Sequence, residues 1–410
     1  MPSAMAYVPP PEILERYASV LINFALGGGR GVQRGEVVRV VAPESAKPLY
    51  AALNRAVWRA GGHVIGSYQP DDDQVANLSR DFYELASAEQ LEHFPAHYTR
   101  GLIDEIDHQV TVIAPSDPRA LDAADPARIM RRGEAMRPLL DWRGEKENAG
   151  RFTWTLGLYG TPGMAGEAGM DLEEYWEQIV HACFLDDEDP VARWREIGER
   201  LDDTRRRLDA LKIERLHVEG EDVDLWVSVG EQRRWLGGRG RNVPSFELFT
   251  SPDWRGTEGW IYCNQPLYRY GNLVEGIRLE FVDGRVTKAS AKSNEQVLKE
   301  MIATEGADRV GEFSLTDRRF SRITRFMAQT LYDENVGGSF GNTHIAVGRS
   351  YQDAFDGDPA SVSDEEWQRL GFNNSSVHTD IVSTTDRVVT ATLPGGEQRV
   401  IYRDGQFQFD

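Results

Sequence analysis

Cysteine is nearly absent from this 410-residue chain, with Cys183 and Cys263 its two examples. Two thiols cannot build a disulfide framework, and no CxxC or Cys/His spacing surrounds them, so a structural zinc site of that kind is excluded as well. Both are expected as small buried hydrophobes. Long apolar runs are missing too: none approaches the ~20 residues that a membrane-crossing helix requires. The proline-rich opening, Met1 to Pro11, lacks the basic and apolar blocks of a secretion signal, which makes the cytoplasm the expected compartment. Positive charge is in short supply, with 46 Lys and Arg against 66 Asp and Glu and a formal net charge of −20. A surface of that sign repels phosphate backbones and argues against a nucleic-acid partner. It suits divalent metals, cationic ligands or simple solubility.

What is present is a chain long enough for two domains. Ile13 to Phe24 carries apolar residues at helix spacing and ends in Gly27-Gly28-Gly29-Arg30-Gly31. Because this glycine cluster follows a helix, it reads as a turn and not as a dinucleotide fingerprint, which needs strand, glycine turn and helix in that order. Strand-like Glu36 to Ala42, helical Leu49 to Ala60, and the strand candidates His63 to Tyr68 and Gln109 to Ala114 then alternate. That rhythm predicts a parallel sheet covered by helices. The middle third reads as helical and charged, over Asp171 to Cys183 and Val191 to Lys212. The acids Asp186-Asp187-Glu188-Asp189 precede Pro190 and read as a helix start.

From about residue 214 short strands recur at Arg215 to Val218, Leu225 to Val229, Gly276 to Val282, Val286 to Ala291, Arg387 to Leu393 and Gln398 to Tyr402. Asp283-Gly284 and Gly395-Gly396 are hairpin signals. The expected fold is an α/β N-terminal domain over residues 1–213, followed by an antiparallel and mixed α+β domain over 214–410.

The residues with chemistry fall in this second half. His378 and Asp380 share one face if Val377 to Val382 is a strand, and a neutral imidazole beside a carboxylate is half of a metal site. His344 lies in Gly341-Asn342-Thr343-His344-Ile345-Ala346-Val347-Gly348. It is either a ligand or a satisfied histidine in a glycine-rich turn, and it would share a face with Tyr351 only if the segment were helical. Glu247, between Phe246 and Leu248, and Glu312, in Val310-Gly311-Glu312-Phe313, are carboxylates in apolar surroundings. Such groups need a cation, either a metal or one of the chain's arginines. Together the set offers the O/N donor mixture that zinc, cobalt or manganese accepts.

These segments resemble the M29 family of metalloaminopeptidases. The resemblance rests on Glu247-Leu248-Phe249-Thr250-Ser251-Pro252, Gly311-Glu312, Asp333-Glu334-Asn335, His344-Ile345-Ala346-Val347-Gly348 with Tyr351 beyond it, and Asn373-Asn374-Ser375-Ser376-Val377-His378-Thr379-Asp380. Similarity extends upstream through Gly160 to Ala165 and Asp189 to Trp194. Two features depart from the family pattern: the stretch Gly337 to Gly341 lengthens one spacing, and Ile381-Val382-Ser383-Thr384 follows the last motif.

The resemblance implies a two-metal aminopeptidase acting on peptides with a free N-terminus, using zinc, cobalt or manganese. It further implies Glu247, Glu312, His344, His378 and Asp380 as ligands, Glu312 as the bridge, Tyr351 facing the reacting carbonyl, and a homodimer. Glu334 stands as either a general base or an ordinary structural acid. A two-metal amidase on non-peptide substrates and an inactive relative are the competing readings; cleavage of acylated substrates would mark the first, and metal that supports folding only would mark the second.

Overall fold

The computed structural model describes residues 7–73, 76–238 and 240–409. Residues 1–6 of the stretch read above for a secretion signal lie outside the described residues. Among the described residues, no helix is long and apolar enough to cross a membrane.

Pro11 opens the first helix, α1 (Pro11–Val20), at a position where a missing N–H costs nothing. Its buried face is Leu14, Tyr17, Ala18 and Val20, the stripe that the apolar spacing predicts. A π turn over Leu21–Ala25 carries the chain into Gly27–Gly29, so the glycine cluster closes a helix, as expected. The β-branched runs then form β1 (Val37–Pro43), β2 (His63–Gln69) and β3 (His108–Ile113). Helix α2 (Lys47–Ala60) makes the β1–β2 crossover. A fourth strand, β4 (Thr153–Leu158), completes a wholly parallel sheet in the order β2-β1-β3-β4. The sequence reading does not foresee β4, because Thr153, Trp154 and Thr155 interrupt its apolar run and helices flank it.

The two amphipathic stretches are the helices Leu172–Ala182 and Pro190–Leu211. Asp189 caps the second, its Oδ1 accepting from the Ala192 N–H at 2.9 Å. Both cysteines are free and buried.

Beyond the long helix the strands are β5 (Arg215–Gly220), β6 (Val223–Ser228), β7 (Glu247–Thr250), β8 (Asp253–Cys263), β9 (Leu267–Arg269), β10 (Asn272–Val274), β11 (Ile277–Val282) and β12 (Arg285–Ser290). They continue as β13 (Val310–Thr316), β14 (Asn342–Gly348), β15 (His378–Ser383), β16 (Val388–Thr392), β17 (Gln398–Arg403) and β18 (Gln406–Phe407). One sheet has eight strands, β12-β11-β8-β6-β5-β16-β17-β18, and another has four, β15-β14-β13-β7. Every pairing among these described strands is antiparallel, so the mixed character expected for this half is not found. Asp283 and Gly284, both at positive φ, form the two-residue turn between β11 and β12.

The two halves of the chain share one apolar core, which runs from α1 and the parallel sheet to Phe246 and Phe313. Trp194 of the long helix stacks on Phe246 at 5.3 Å. This anchors Phe246 on the core side and turns its neighbour Glu247 to the opposite face of β7. On β13 and β14 every residue is buried, polar ones included. Leu248, Phe313, Leu315, Ile345 and Val347 join the apolar core, which leaves Glu312, Ser314, His344 and Ala346 on the other face.

At one end of this four-stranded sheet, backbone packs directly on backbone. Gly348 sits at φ +104°, and a Cβ there would lie 2.0 Å from the Val377 carbonyl oxygen. Gly311, where β13 slips register against β14, would place a Cβ 2.3 Å from the Arg349 carbonyl oxygen. Gly348→Ala is therefore expected to cost more than about 1 kcal/mol of folding stability. Urea unfolding checks this, and a variant as stable as the parent would refute the packing argument.

Candidate metal centre

Strand register gathers the scattered polar residues. On β14, His344 pairs with Ser314 and Val382, Ala346 with Glu312 and Asp380, and Gly348 with His378. Paired residues present their side chains to the same face, so Glu312, His344, His378 and Asp380 point together. Glu247 joins them from β7, where Ser314 Oγ donates to its Oε2 at 2.9 Å. Only the methyl of Ala346 lies between Glu312 and Asp380 in their row, which leaves a hollow between the two carboxylates.

His344 Nε2 lies 3.1 Å from Glu247 Oε2, 3.3 Å from Glu312 Oε1 and 3.9 Å from Asp380 Oδ1. His378 Nε2 lies 3.6 Å from both Glu312 Oε2 and Asp380 Oδ1. Glu312 thus turns one oxygen to each imidazole. Donor atoms form two groups, Glu247–Glu312–His344 and Glu312–His378–Asp380, with the atoms of each group within 4.8 Å of one another. Backbone and amide groups hold the rings from behind: His378 Nδ1 meets the Arg349 carbonyl oxygen at 2.7 Å, and His344 Nδ1 meets Asn342 Oδ1 at 3.4 Å. Fixing the far nitrogen aims the near one at the cluster.

Three of the local expectations change. His344 sits on a strand, not in a glycine-rich turn, and no helix face joins it to Tyr351. Tyr351 follows β14 in a loop and reaches the site by packing its ring 4.8 Å from that of His378 and 5.6 Å from Phe249. Arginine pairing of Glu247 and Glu312 is also overturned. Among the described residues neither forms an ion pair with Lys or Arg, and each faces His344 instead.

The segment Asp333-Glu334-Asn335 divides its labour. Asp333 accepts from the Met327 and Gln329 N–H groups, and Asn335 Oδ1 accepts from the Phe246 N–H. Glu334 is buried beside the cluster and lines its cavity, with Asn335 Nδ2 donating to its Oε1 at 3.3 Å.

Electrostatics follow from crowding in a dry place. Burial, with the charges of Glu247 and Asp380 adding to it, pushes the Glu312 carboxyl up to about 7 against the help of His344. Burial and then Asp380 and Glu247 hold Glu334 well above the usual carboxylate range. Burial pulls His344 down, but its hydrogen bonds to Glu247 and Glu312 outweigh that and hold it well up. Burial, reinforced by Glu312, keeps the Tyr351 hydroxyl protonated far above its ordinary range.

The face opens into a cavity of about 310 Å³. Glu247, Glu312, Glu334, Tyr351, His378 and Asp380 line one part of it, while His344 lies fully buried beneath. Trp154, Arg234, Arg241 and Asp353 line another part. Sequence reasoning missed this second set; its signal was the glycine-rich approach to Arg241, where Gly237 and Gly240 pack against backbone carbonyls. The donor chemistry fits a divalent cation: carboxylate oxygens and imidazole nitrogens converge, and among the described residues Glu247, Glu312 and Asp380 form ion pairs with the two histidines and none with Lys or Arg.

The thermophilic metalloprotease (M29) family matches this chain over residues 11–407. The chain belongs to the M29 metalloprotease family. It is a metal-dependent peptidase by that membership. It is 29% identical to aminopeptidase T of Thermus thermophilus, over 97% of this chain and 99% of the relative. It is 28% identical to aminopeptidase 2 of Geobacillus stearothermophilus, over 97% and 98%. The solved structure of wild-type AmpT from Thermus thermophilus superposes with a TM-score of 0.79 at 27% identity, covering 97% of this chain and 99% of that one. A 2,5-dihydroxypyridine dioxygenase from Pseudomonas putida KT2440 aligns with a TM-score of 0.52 at 14% identity over 98% and 99%, a likeness of fold alone. The α/β half with its parallel sheet and the strand-rich α+β half are thus the architecture of an M29 protein.

A pH effect follows for the metal-free M29 chain. An unfolded glutamate titrates near ~4.3, whereas Glu312 in the fold sits at about 7. A raised folded value contributes stability below the unfolded value and loses it as pH rises through the folded one. Metal-free protein is therefore expected to lose stability relative to Glu312→Gln between pH 5 and 8. Parallel melting curves for the two proteins across that range would contradict it.

Proposed function

We propose that Glu247, Glu312, His344, His378 and Asp380 would hold two divalent cations for the aminopeptidase chemistry of this M29 chain, with Glu312 offering a donor to each. One observation carries this reading: two donor groups share Glu312, which offers Oε1 to one side and Oε2 to the other. Zinc, cobalt and manganese all accept such a donor set. Bound here, the cations supply a water of lowered pKa and polarisation of the scissile carbonyl.

The protein's own groups do the rest. Tyr351 keeps its proton and donates from its hydroxyl to the oxygen on which charge develops, stabilising the transition state more than the bound substrate. Glu334 lines the cavity beside the cluster. Cations bound beside it would favour its ionised form, against the burial and acidic neighbours that hold it up in the metal-free chain. That carboxylate would take the proton from the attacking water and return it to the departing nitrogen. The sheet's apolar backing keeps bulk water off the far side of the cluster, so these charges act in a medium of low polarity.

The substrates are peptides with a free N-terminus. We also assign residues 1–213 and 214–410 to two domains, place the protein in the cytoplasm, and take its working form to be a homodimer, in line with the resemblance to its family.

Chelator-stripped protein given a panel of free-amine aminoacyl amides is expected to be silent and to regain turnover with cobalt, zinc or manganese. Silence under every metal would end the aminopeptidase reading in favour of an amidase or an inactive relative. Glu334→Gln is expected to lower kcat by roughly 10²–10⁴-fold while metal still raises Tm. Tyr351→Phe is expected to lower kcat more than it changes KM. A Tyr351→Phe effect confined to KM would make that hydroxyl a binding group, and a fully active Glu334→Gln would remove its proton role.

A further inference from the structure

The cavity of the proposed metal centre has a second end that the reaction does not use. Arg234 and Arg241 both line it, and Asp353 holds both. The Asp353 backbone carbonyl accepts from Arg234 Nε at 2.7 Å, and its carboxylate accepts from Arg241 Nη2. Glu147 Oε1 takes the same Arg241 nitrogen at 2.8 Å. Each guanidinium is therefore held through a single nitrogen, Nε of Arg234 and Nη2 of Arg241. Among the described residues, neither the Nη atoms of Arg234 nor the Nε and Nη1 of Arg241 form a hydrogen bond. Arg234 forms no ion pair with a carboxylate among the described residues, its bond being to a backbone oxygen. Trp154, from the parallel sheet, closes the same wall, with the Arg241 guanidinium 5.5 Å from its ring.

The spacing relates this end to the reacting end. The Arg241 guanidinium lies 5.0 Å from the Tyr351 ring, and that ring lies 4.8 Å from the His378 ring. Extended peptide advances ~3.3–3.6 Å per residue, so the two steps together reach no further than about two to three residues. A cavity of about 310 Å³ is of the size that small ligands fill. Its acidic end suits a cation-bound amine terminus, and its guanidinium end suits an anion. Arg234, bonded through Nε alone, keeps its Nη1–Nη2 edge for a carboxylate in a two-pronged geometry, and Arg241 can add a single N–H from Nε or Nη1.

We infer that Arg234 and Arg241, positioned by Asp353, form a subsite for the C-terminal carboxylate of the substrate, so that di- and tripeptides with a free carboxylate are preferred. This rests on the aminopeptidase reading, because it needs the N-terminus at the cluster. A hydrogen-bonded charge pair of this kind discriminates by about tenfold or more.

The test uses the full-length metal-loaded protein and the aminoacyl residue X that it cleaves best as X-amide. X-Gly-Gly with a free carboxylate is compared with X-Gly-Gly amide. The subsite predicts a kcat/KM ratio of about ten or more in favour of the acid, carried mainly by KM and falling towards one in Arg234→Gln. Cleavage of X-amide together with equal rates on the two tripeptides would overturn the subsite and leave the aminopeptidase reading standing. The wild-type ratio decides this even if the variant does not fold. No cleavage of X-amide under any metal would overturn the aminopeptidase reading and this inference with it.

Discussion

Four acidic side chains, Glu247, Glu312, Glu334 and Asp380, meet in one cavity with the His378 imidazole beside them, the His344 imidazole beneath them and no Lys or Arg ion partner among the described residues. Buried carboxylates in such company repel one another and lose hydration, and each loss costs several kcal/mol unless a cation compensates. The fold holds them there because their strands are anchored from the opposite side. Phe246, Leu248, Phe313, Ile345 and Val347 are buried in the shared core, and alternation along a strand forces their neighbours into the cavity. Apolar packing on one face thus supplies the free energy that keeps repelling charges together on the other. The surplus negative charge is what makes the site receptive to divalent metal.

The two halves of the chain meet at this cavity. The α/β half brings Trp154 to its wall and Glu147 to Arg241, while the α+β half brings the donor cluster. A substrate would therefore lie between a metal-bearing floor and a wall built partly from the other half. That division lets the wall vary its recognition without disturbing the cluster, whose geometry depends on β-sheet register.

Much of this could be read in the sequence. The β-branched runs and their alternation with helices announced the parallel sheet, and the period of two around His378 and Asp380 placed both on one face. The carboxylates stood out because Glu247 and Glu312 sit among apolar residues. Local reasoning failed where long-range pairing decides. The glycines around His344 suggested a loose turn, yet Gly348 and Gly311 are there to let neighbouring backbones touch within a sheet. Tyr351 reaches His378 through a loop whose path no periodicity encodes. Arg234, Arg241 and Asp353 were passed over, since only the folded chain brings them to one wall with the cluster.

The central claim is that one sheet face holds two cations through a shared Glu312. A crystal structure of the protein soaked in zinc, with anomalous scattering measured at the zinc edge, tests this most directly. The account predicts two anomalous peaks flanking the Glu312 carboxylate, one against Glu247 and His344 and one against His378 and Asp380. A single peak, or peaks that leave Glu312 uncoordinated, would contradict it.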